Sequence, residues 1–359
     1  MSAADIERLW RNNVSWLANC EEDNDIAISS RIRLARNVVG FPFPIAATAE
    51  QLELLDQNVE QALKSSGCLG EAPLSFKLNE LSEMEKQLLL ERRLVSPDFL
   101  ARRQGAELFV QADEVSGIMV NEEDHLRLQT LLPGLQLQEA WQIIDRLDSR
   151  LGEFLDYAFD DRLGYLTCCP TNVGTGMRAS VMLHLPGLVL SGQITAAIQG
   201  VGKLGMAVRG IFGEGSDNRG NLFQISNQST LGESETQIIE RLSNVIAMMI
   251  NHEKNARYSM LEKNQAFLLD QVGRAYGMLR HSYILNYEEA LNLLSRLRFG
   301  VDMKMFSMVN VKTVNLLFMA IGPAHLQKYA GRVLSGGECD VVRAAMVRER
   351  LKEANENGN

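Results

Sequence analysis

The decapeptide Cys169-Pro-Thr-Asn-Val-Gly174-Thr-Gly176-Met-Arg178 decides how the rest of the chain reads. A thiol stands immediately before a turn whose φ is set by Pro170. Gly174 and Gly176 then let the backbone pass close to a ligand, and Arg178 offers a planar fork of donors to an anion. The apolar run that follows, residues 178–185, reads as a strand and puts the arginine where loop meets sheet.

Upstream of this stretch, residues 155–159 and 165–168 bracket Asp160-Asp161-Arg162-Leu163-Gly164 as a short hairpin. Residues 107–111 and 117–121 form a second hairpin around Gly117. Helical periodicity covers residues 4–18, 50–64, 80–93 and 135–154, and the arginine-rich segment 29–37 reads as extended. Downstream, a helix over 188–200 precedes a strand over 206–212, a glycine-rich loop (Gly213, Gly215, Gly220) and a strand over 221–226. Beyond Glu233 helical patterns dominate, with breaks near Asn286, Gly300 and Gly322-Pro323, and a last helix over 340–353. The reading is α+β: a mostly antiparallel sheet flanked by helices over residues 1–256, then an all-α domain over 257–359. Short hairpin links outnumber crossover helices, which favours antiparallel pairing.

The 359 residues carry a formal net charge of -9. That balance disfavours a nucleic-acid surface, so the arginine clusters need another anion. Five cysteines at 20, 68, 168, 169 and 339 make no CxxC pair and no disulfide framework. Adjacent Cys168 and Cys169 suit a reducing compartment, with Cys168 expected in the core. With no export segment or membrane-length apolar run apparent, the expected location is cytoplasmic. Gly200-Val-Gly202-Lys-Leu-Gly205 matches the dinucleotide fingerprint, but a helix precedes it and a strand follows, the reverse of what that motif requires. These glycines are read as a helix stop and turn. Lys203 is no P-loop lysine either, because Ala197 stands where its first glycine belongs.

Four segments join the thiol stretch: Ser29-Ser30-Arg31-Ile32-Arg33-Leu34-Ala35-Arg36, Asn121-Glu-Glu123-Asp-His-Leu-Arg127, Arg209-Gly-Ile-Phe-Gly-Glu214 and Asn221-Leu-Phe-Gln-Ile-Ser-Asn227. On an extended strand Arg31 and Arg33 project to one side, spaced to grip a polyphosphate. Together and in this order, the segments resemble the signatures of the ATP:guanidino phosphotransferases, the phosphagen kinases. The resemblance implies phosphoryl transfer from ATP, with Mg²⁺ carried by the nucleotide and no metal site of the protein's own. It assigns nucleotide binding to Ser29, Ser30, Arg31, Ile32, Arg33, Arg127, Arg178, Ala179, Ser180, Val181, Met182, Arg209, Gly210, Ile211, Phe212 and Gly213. Arg93, where the family favours histidine, is placed near the nucleotide too. Glu123 and Glu214 match the two catalytic carboxylates and Cys169 the reactive cysteine. A guanidinium with a pKa above roughly 12 must lose a proton during attack, which carboxylates can accept.

Two departures point to the protein-arginine kinase branch. The helical domain that precedes the Ser29 segment in creatine and arginine kinases is expected to be missing, and Met182 stands where those enzymes carry histidine. The branch implies a protein substrate bearing arginine, a McsA-type zinc-binding activator, delivery to a Clp-type protease and inactivation of a CtsR-type repressor. A homodimer is left open. It also implies a phosphoarginine pocket at Cys339, Asp340, Val341, Val342, Arg343 and Ala344, with Cys339 replacing the family's first arginine. A plain helix packing through Val347 and Leu351 is the alternative for this segment. For the whole chain the alternatives are a free-arginine kinase and a non-catalytic phosphoarginine adaptor.

Overall fold

The computed structural model describes residues 2–11, 14–18, 26–102, 104–210 and 219–357. Ten strands are defined among them: β1 (Ala27–Arg36), β2 (Leu74–Lys77), β3 (Glu107–Val110), β4 (Ser116–Val120), β5 (Leu126–Pro133), β6 (Phe159–Asp160), β7 (Gly164–Tyr165), β8 (Met177–His184), β9 (Met206–Gly210) and β10 (Leu222–Asn227). Eight make one sheet in the order β2-β3-β4-β5-β1-β8-β10-β9, and β6 and β7 form a separate ribbon. From β2 to β1 every pairing is antiparallel. The chain divides into two compact units, one of residues 1–16, 29–181 and 226–244, the other of 17–28, 182–225 and 245–359.

In the first unit Ile32 and Leu34 of β1 and Leu126 and Leu128 of β5 are fully buried, and helices Ala49–Ser66 and Leu137–Gly152 flank the sheet. The helix from Ala49 begins at a capping box of Thr48 and Gln51 and stops at Gly67, whose φ of 58° suits a left-handed cap. Arg36 anchors the end of β1. Its guanidinium meets Asp148 through Nε–Oδ1 at 3.1 Å and Nη2–Oδ2 at 2.6 Å, donates to Thr175 O at 3.0 Å, and lies 3.4 Å from the Tyr165 ring centroid.

The second unit is built mainly from the part of helix Glu235–His281 that follows residue 244 and from helices Tyr287–Asp302, Val311–Ala320, Pro323–Ala330 and Gly336–Asn357. Asn286 and Asn310 cap two of them by accepting from Glu289 N and Thr313 N. Leu291, Leu294, Leu317, Val347 and Leu351 meet in the core. Asn264, at φ -141° and ψ 37°, interrupts the first and longest of these helices.

Several expectations need correction. The single helix over 4–18 is two, Ser2–Arg11 and Ser15–Ala18, and that over 188–200 is also two, Pro186–Leu190 and Ile194–Lys203. Gly200 and Gly202 lie inside the latter helix, and the turn belongs to Gly205 alone, at φ +71°. Gly300 is no break. It sits within Tyr287–Asp302, where a Cβ would come within 2.3 Å of Val272 Cγ1, so glycine serves close helix packing. Strand β5 was not anticipated. Buried on both faces apart from Arg127 and Pro133, it lacks the alternation that betrays a half-exposed strand.

Candidate active site

Five arginines of the first unit gather beside the sheet. Arg31 and Arg33 alternate with Ile32 and Leu34 along β1, and Arg127 of β5 pairs with Ala35 in the register. Arg178, at the start of β8, donates from Nη2 to Ser226 Oγ at 3.2 Å. Arg93 adopts a left-handed φ of 63°, lies 4.8 Å over the Trp16 ring, and accepts at its carbonyl from Gln129 Nε2 at 2.9 Å. Burial first, then Arg93, Arg127 and Arg178, pushes the Arg31 pKa down to about 9. The Arg33 guanidinium is pushed well down by burial and then by Arg31, Arg127 and Arg178, with Glu122 opposing. Among the described residues Arg33 Nε and Arg127 Nε are buried donors with no acceptor. Such a concentration of positive charge is costly until an anion enters, and fork-shaped donors suit phosphate oxygens.

The other residues matched to the nucleotide divide by what they touch. Ser30 Oγ donates to Gly134 O and accepts from Gln136 N, both at 2.9 Å, so it fastens the turn after β5. Ser29, Ile32, Ala179, Val181 and Met182 are buried. Ala179 N donates to Asn227 Oδ1, and Ser180 Oγ to Arg31 O. Arg209, exposed on β9, and Gly210 belong to the other unit. Ile211, Phe212, Gly213 and Glu214 lie outside the described residues.

The Asn121–Arg127 segment owes its shape to local bonds. Asn121 takes φ 60°, its backbone N donates to His125 O, and its amide nitrogen donates to Leu52 O and Gly105 O. Glu122 accepts from Arg127 Nη1 at 3.1 Å and from Ser96 Oγ. Val38 N donates to His125 Nδ1, which leaves the imidazole proton on Nε2, facing Pro42 O at 2.9 Å. Between them stands half-buried Glu123, whose carboxyl is raised above the ordinary range by burial and then by Asp124.

Beside Glu123 runs the thiol loop. Pro170–Asn172 form one 3₁₀ turn, and Cys169 Sγ lies 3.0 Å from Thr171 Oγ1. Thr167 Oγ1 donates to Cys169 O, and Cys168 N donates to Asp124 Oδ1 at 2.6 Å. Cys168 is half-buried rather than in the core; burial and the charges of Asp124 and Glu123 raise its thiol pKa. The two glycines, expected to make room for a ligand, make room for backbone instead. A Cβ on Gly174 would stand 2.1 Å from Thr230 O, and one on Gly176 would stand 2.6 Å from Ala35 O. Thr230 completes the clasp by donating from Oγ1 to Thr171 O and Val173 O.

Sequence reasoning passed over Asn37, Asp124 and Thr230, because their bonds span from 44 to 129 positions of chain. In the second unit, buried Arg343 donates to Ile321 O at 2.9 Å, Leu285 O at 2.8 Å and Asp340 Oδ1 at 2.5 Å. Cys339 and Ala344 pack in the helical core, with Val342 against it and Val341 exposed. Among the described residues no group of three or more His, Cys, Asp or Glu side chains could hold a metal, and no helix is long and apolar enough to cross a membrane.

Comparison with known proteins places the chain in a family. Residues 55–256 match the family model "ATP:guanido phosphotransferase, C-terminal catalytic domain", and residues 265–359 match "Protein-arginine kinase McsB C-terminal domain". A protein-arginine kinase of Pelotomaculum thermopropionicum is 46% identical over 339 residues, 94% of this chain and 95% of the relative. One of Moorella thermoacetica is 46% identical over 94% of this chain and 97% of its own. Among solved structures, the substrate-free duplicated taurocyamine kinase of Schistosoma mansoni aligns with a TM-score of 0.55 at 30% identity, covering 64% of this chain and 32% of that one. A lombricine kinase aligns with a TM-score of 0.56 over 66% of this chain and 68% of its own; at 21% identity it speaks for the fold alone. The chain therefore belongs to the ATP:guanido phosphotransferase family, within its protein-arginine kinase (McsB) branch.

Proposed function

We propose that this chain is an ATP-dependent protein-arginine kinase, and the observation that carries the proposal is the five-arginine cluster set beside Glu123 and the Cys169 loop. Arg31, Arg33, Arg93, Arg127 and Arg178 would hold the nucleotide phosphates, and a phosphate role for Arg209 is proposed on the family resemblance alone. Mg²⁺ would arrive on the phosphate oxygens of the nucleotide, as the family resemblance implies. The acceptor guanidinium would lie against Glu123, with Cys169 beside the substrate cation. As the guanidino nitrogen attacks the γ-phosphorus, an N–P bond forms and the P–O bond to ADP breaks. The proton leaving the nitrogen passes to Glu123 or Glu214. Phosphoryl transfer of this kind is chiefly positioning and charge neutralisation, which suits a site built of arginines.

The functional division we propose falls near residue 256, between the two matched family segments. For Cys339–Ala344 a scaffold role has the better support, because Arg343 already serves two carbonyls and Asp340. A cytoplasmic setting is supported by the free thiols of Cys68, Cys168, Cys169 and Cys339. The McsA-type activator, Clp-type protease and CtsR-type repressor are proposed partners on the strength of the branch alone. Incubation with ATP and a protein substrate should yield acid-labile phosphate on arginine, and Glu123→Gln should lower turnover by at least about 10²-fold. Preference for free arginine over protein would favour the small-guanidino reading, and no ATP consumption would leave the adaptor.

A further inference from the structure

Asp124 has no role in the reaction as written, yet it is fully buried. Its Oδ1 accepts from Asn37 Nδ2 at 2.7 Å and from Cys168 N at 2.6 Å. Its Oδ2 is buried too, and among the described residues no donor reaches it. A neutral side chain of the same shape could accept both bonds without burying a charge, and a buried charge this sparsely compensated is costly. Asn37 is fully engaged around it. The same amide nitrogen donates to Leu166 O at 2.9 Å, and Asn37 Oδ1 accepts from His125 N at 2.9 Å. Asn37 and Asp124 thus tie three segments at one point: the residue after β1, the turn before β5, and the chain on either side of Thr167. Glu123 immediately precedes Asp124, and Cys169 immediately follows Cys168.

We propose that Asp124 is a positioning residue for phosphoryl transfer: its carboxylate, seated on Asn37, holds Glu123 and the Cys169 loop against each other and keeps a negative charge beside the base. The proposal rests on the reading of Glu123 as proton acceptor. Glu123 is raised by burial first and by Asp124 next, with Glu122 and Asp98 acting in the same sense and Arg127 opposing. Cys168 responds to Asp124 and Glu123 likewise, with Arg102 opposing. These are the titrating and charged groups that act around the base. A carboxylate that binds its proton more tightly is a better acceptor for one leaving a guanidinium.

The test uses the full chain with ATP and an arginine-bearing protein. Asp124→Asn should lower kcat by about ten-fold or more while the KM for ATP stays within about two-fold, because the loss falls on the transition state. The acid limb of its kcat–pH profile should move to lower pH, since Glu123 loses an adjacent negative charge. A scaffold role would not move that limb, and an unmoved limb overturns the proposal whatever happens to kcat. Should Asp124→Asn fail to fold, Asn37→Ser decides. It leaves the charge but frees the seat, so kcat should fall and the rate of Cys169 alkylation by iodoacetamide should change by about three-fold or more. Both unchanged would overturn the proposal. Glu123→Gln separates the two levels. If it retains turnover, the base assignment fails and this inference with it. If it is inactive while Asp124→Asn leaves the limb in place, only the role of Asp124 falls.

Discussion

Replacing Arg178 with methionine should make the protein more stable and a worse kinase, and both signs come from the same electrostatics. Arg178 is among the charges that lower both Arg31 and Arg33. The fall of Arg31 from its ordinary value to about 9 corresponds to roughly 5 kcal/mol at about 1.4 kcal/mol per pKa unit, and burial is its leading cause. Arg178, ranked after burial, Arg93 and Arg127, therefore accounts for at most about 1 kcal/mol of repulsion on Arg31, and its repulsion of Arg33 adds to this. Against this stands its bond to Ser226 Oγ, at about 1 kcal/mol. The net gain without nucleotide is up to about 1 kcal/mol, since Met keeps the aliphatic bulk. The folded-state value lies below the ordinary one, so the penalty is complete below about pH 9 and fades between 9 and 12.5. At neutral pH it is fully present. The loss on binding is larger: a charge-assisted bond to phosphate contributes about 1.5–3 kcal/mol, about ten- to a hundred-fold in ATP affinity. Thermal unfolding at low ionic strength without nucleotide should show Arg178→Met melting above the parent. The gap should narrow in about 1 M NaCl without closing, because salt screens charges open to solvent and buried pairs much less. With saturating ATP the order should invert, because the parent gains more from ligand binding. A variant that melts lower without nucleotide at low salt, or an order that ATP never inverts, would refute the reasoning.

Gly174→Ala, at φ +111° with Thr230 O in the way, should cost at least about 2 kcal/mol and depress turnover; denaturant unfolding and steady-state kinetics would show it. Asp148→Ala strands the buried Arg36 guanidinium and should cost about 3–5 kcal/mol in urea unfolding, whereas Asp148→Asn should cost less by keeping an acceptor. Asp56, raised by burial and then by Glu107, binds its proton more tightly in the folded chain, so its contribution is lost as pH rises above the ordinary carboxylate range. Asp56→Asn should accordingly gain on the parent by about 1 kcal/mol or more between pH 5.5 and 8.5, read from urea midpoints at both.

What could be read from the residues alone was whatever repeats locally. The alternation of arginine and apolar residues in β1 announced both a strand and a charged face, and the hairpins at β3–β4 and β6–β7 declared themselves through their turns. Strand β5 did not, because burial on both faces removes the alternation. Arg93, expected near the nucleotide where the family favours histidine, stands among the charges that perturb Arg31. Arg343 and Asp340 were correctly placed three apart on one helix face, but spacing says nothing of the carbonyls at Leu285 and Ile321 that occupy the guanidinium. The seat of Asp124 on Asn37 joins positions 87 apart, a distance no local pattern spans.

The glycines at 174 and 176 answer to Thr230 and Ala35, so their presence certifies a correctly closed loop rather than a working one. A descendant that had abandoned catalysis and kept the fold would still need both, along with Asp148 beneath Arg36. A motif scan weighted on those positions would count it as active. The discriminating letters are those the scaffold can spare: Glu123, the Cys169 thiol, and the guanidinium heads of Arg33 and Arg127, whose buried Nε atoms find no acceptor among the described residues. Pseudoenzymes of this lineage should be sought as chains that keep the glycines and lose the charges.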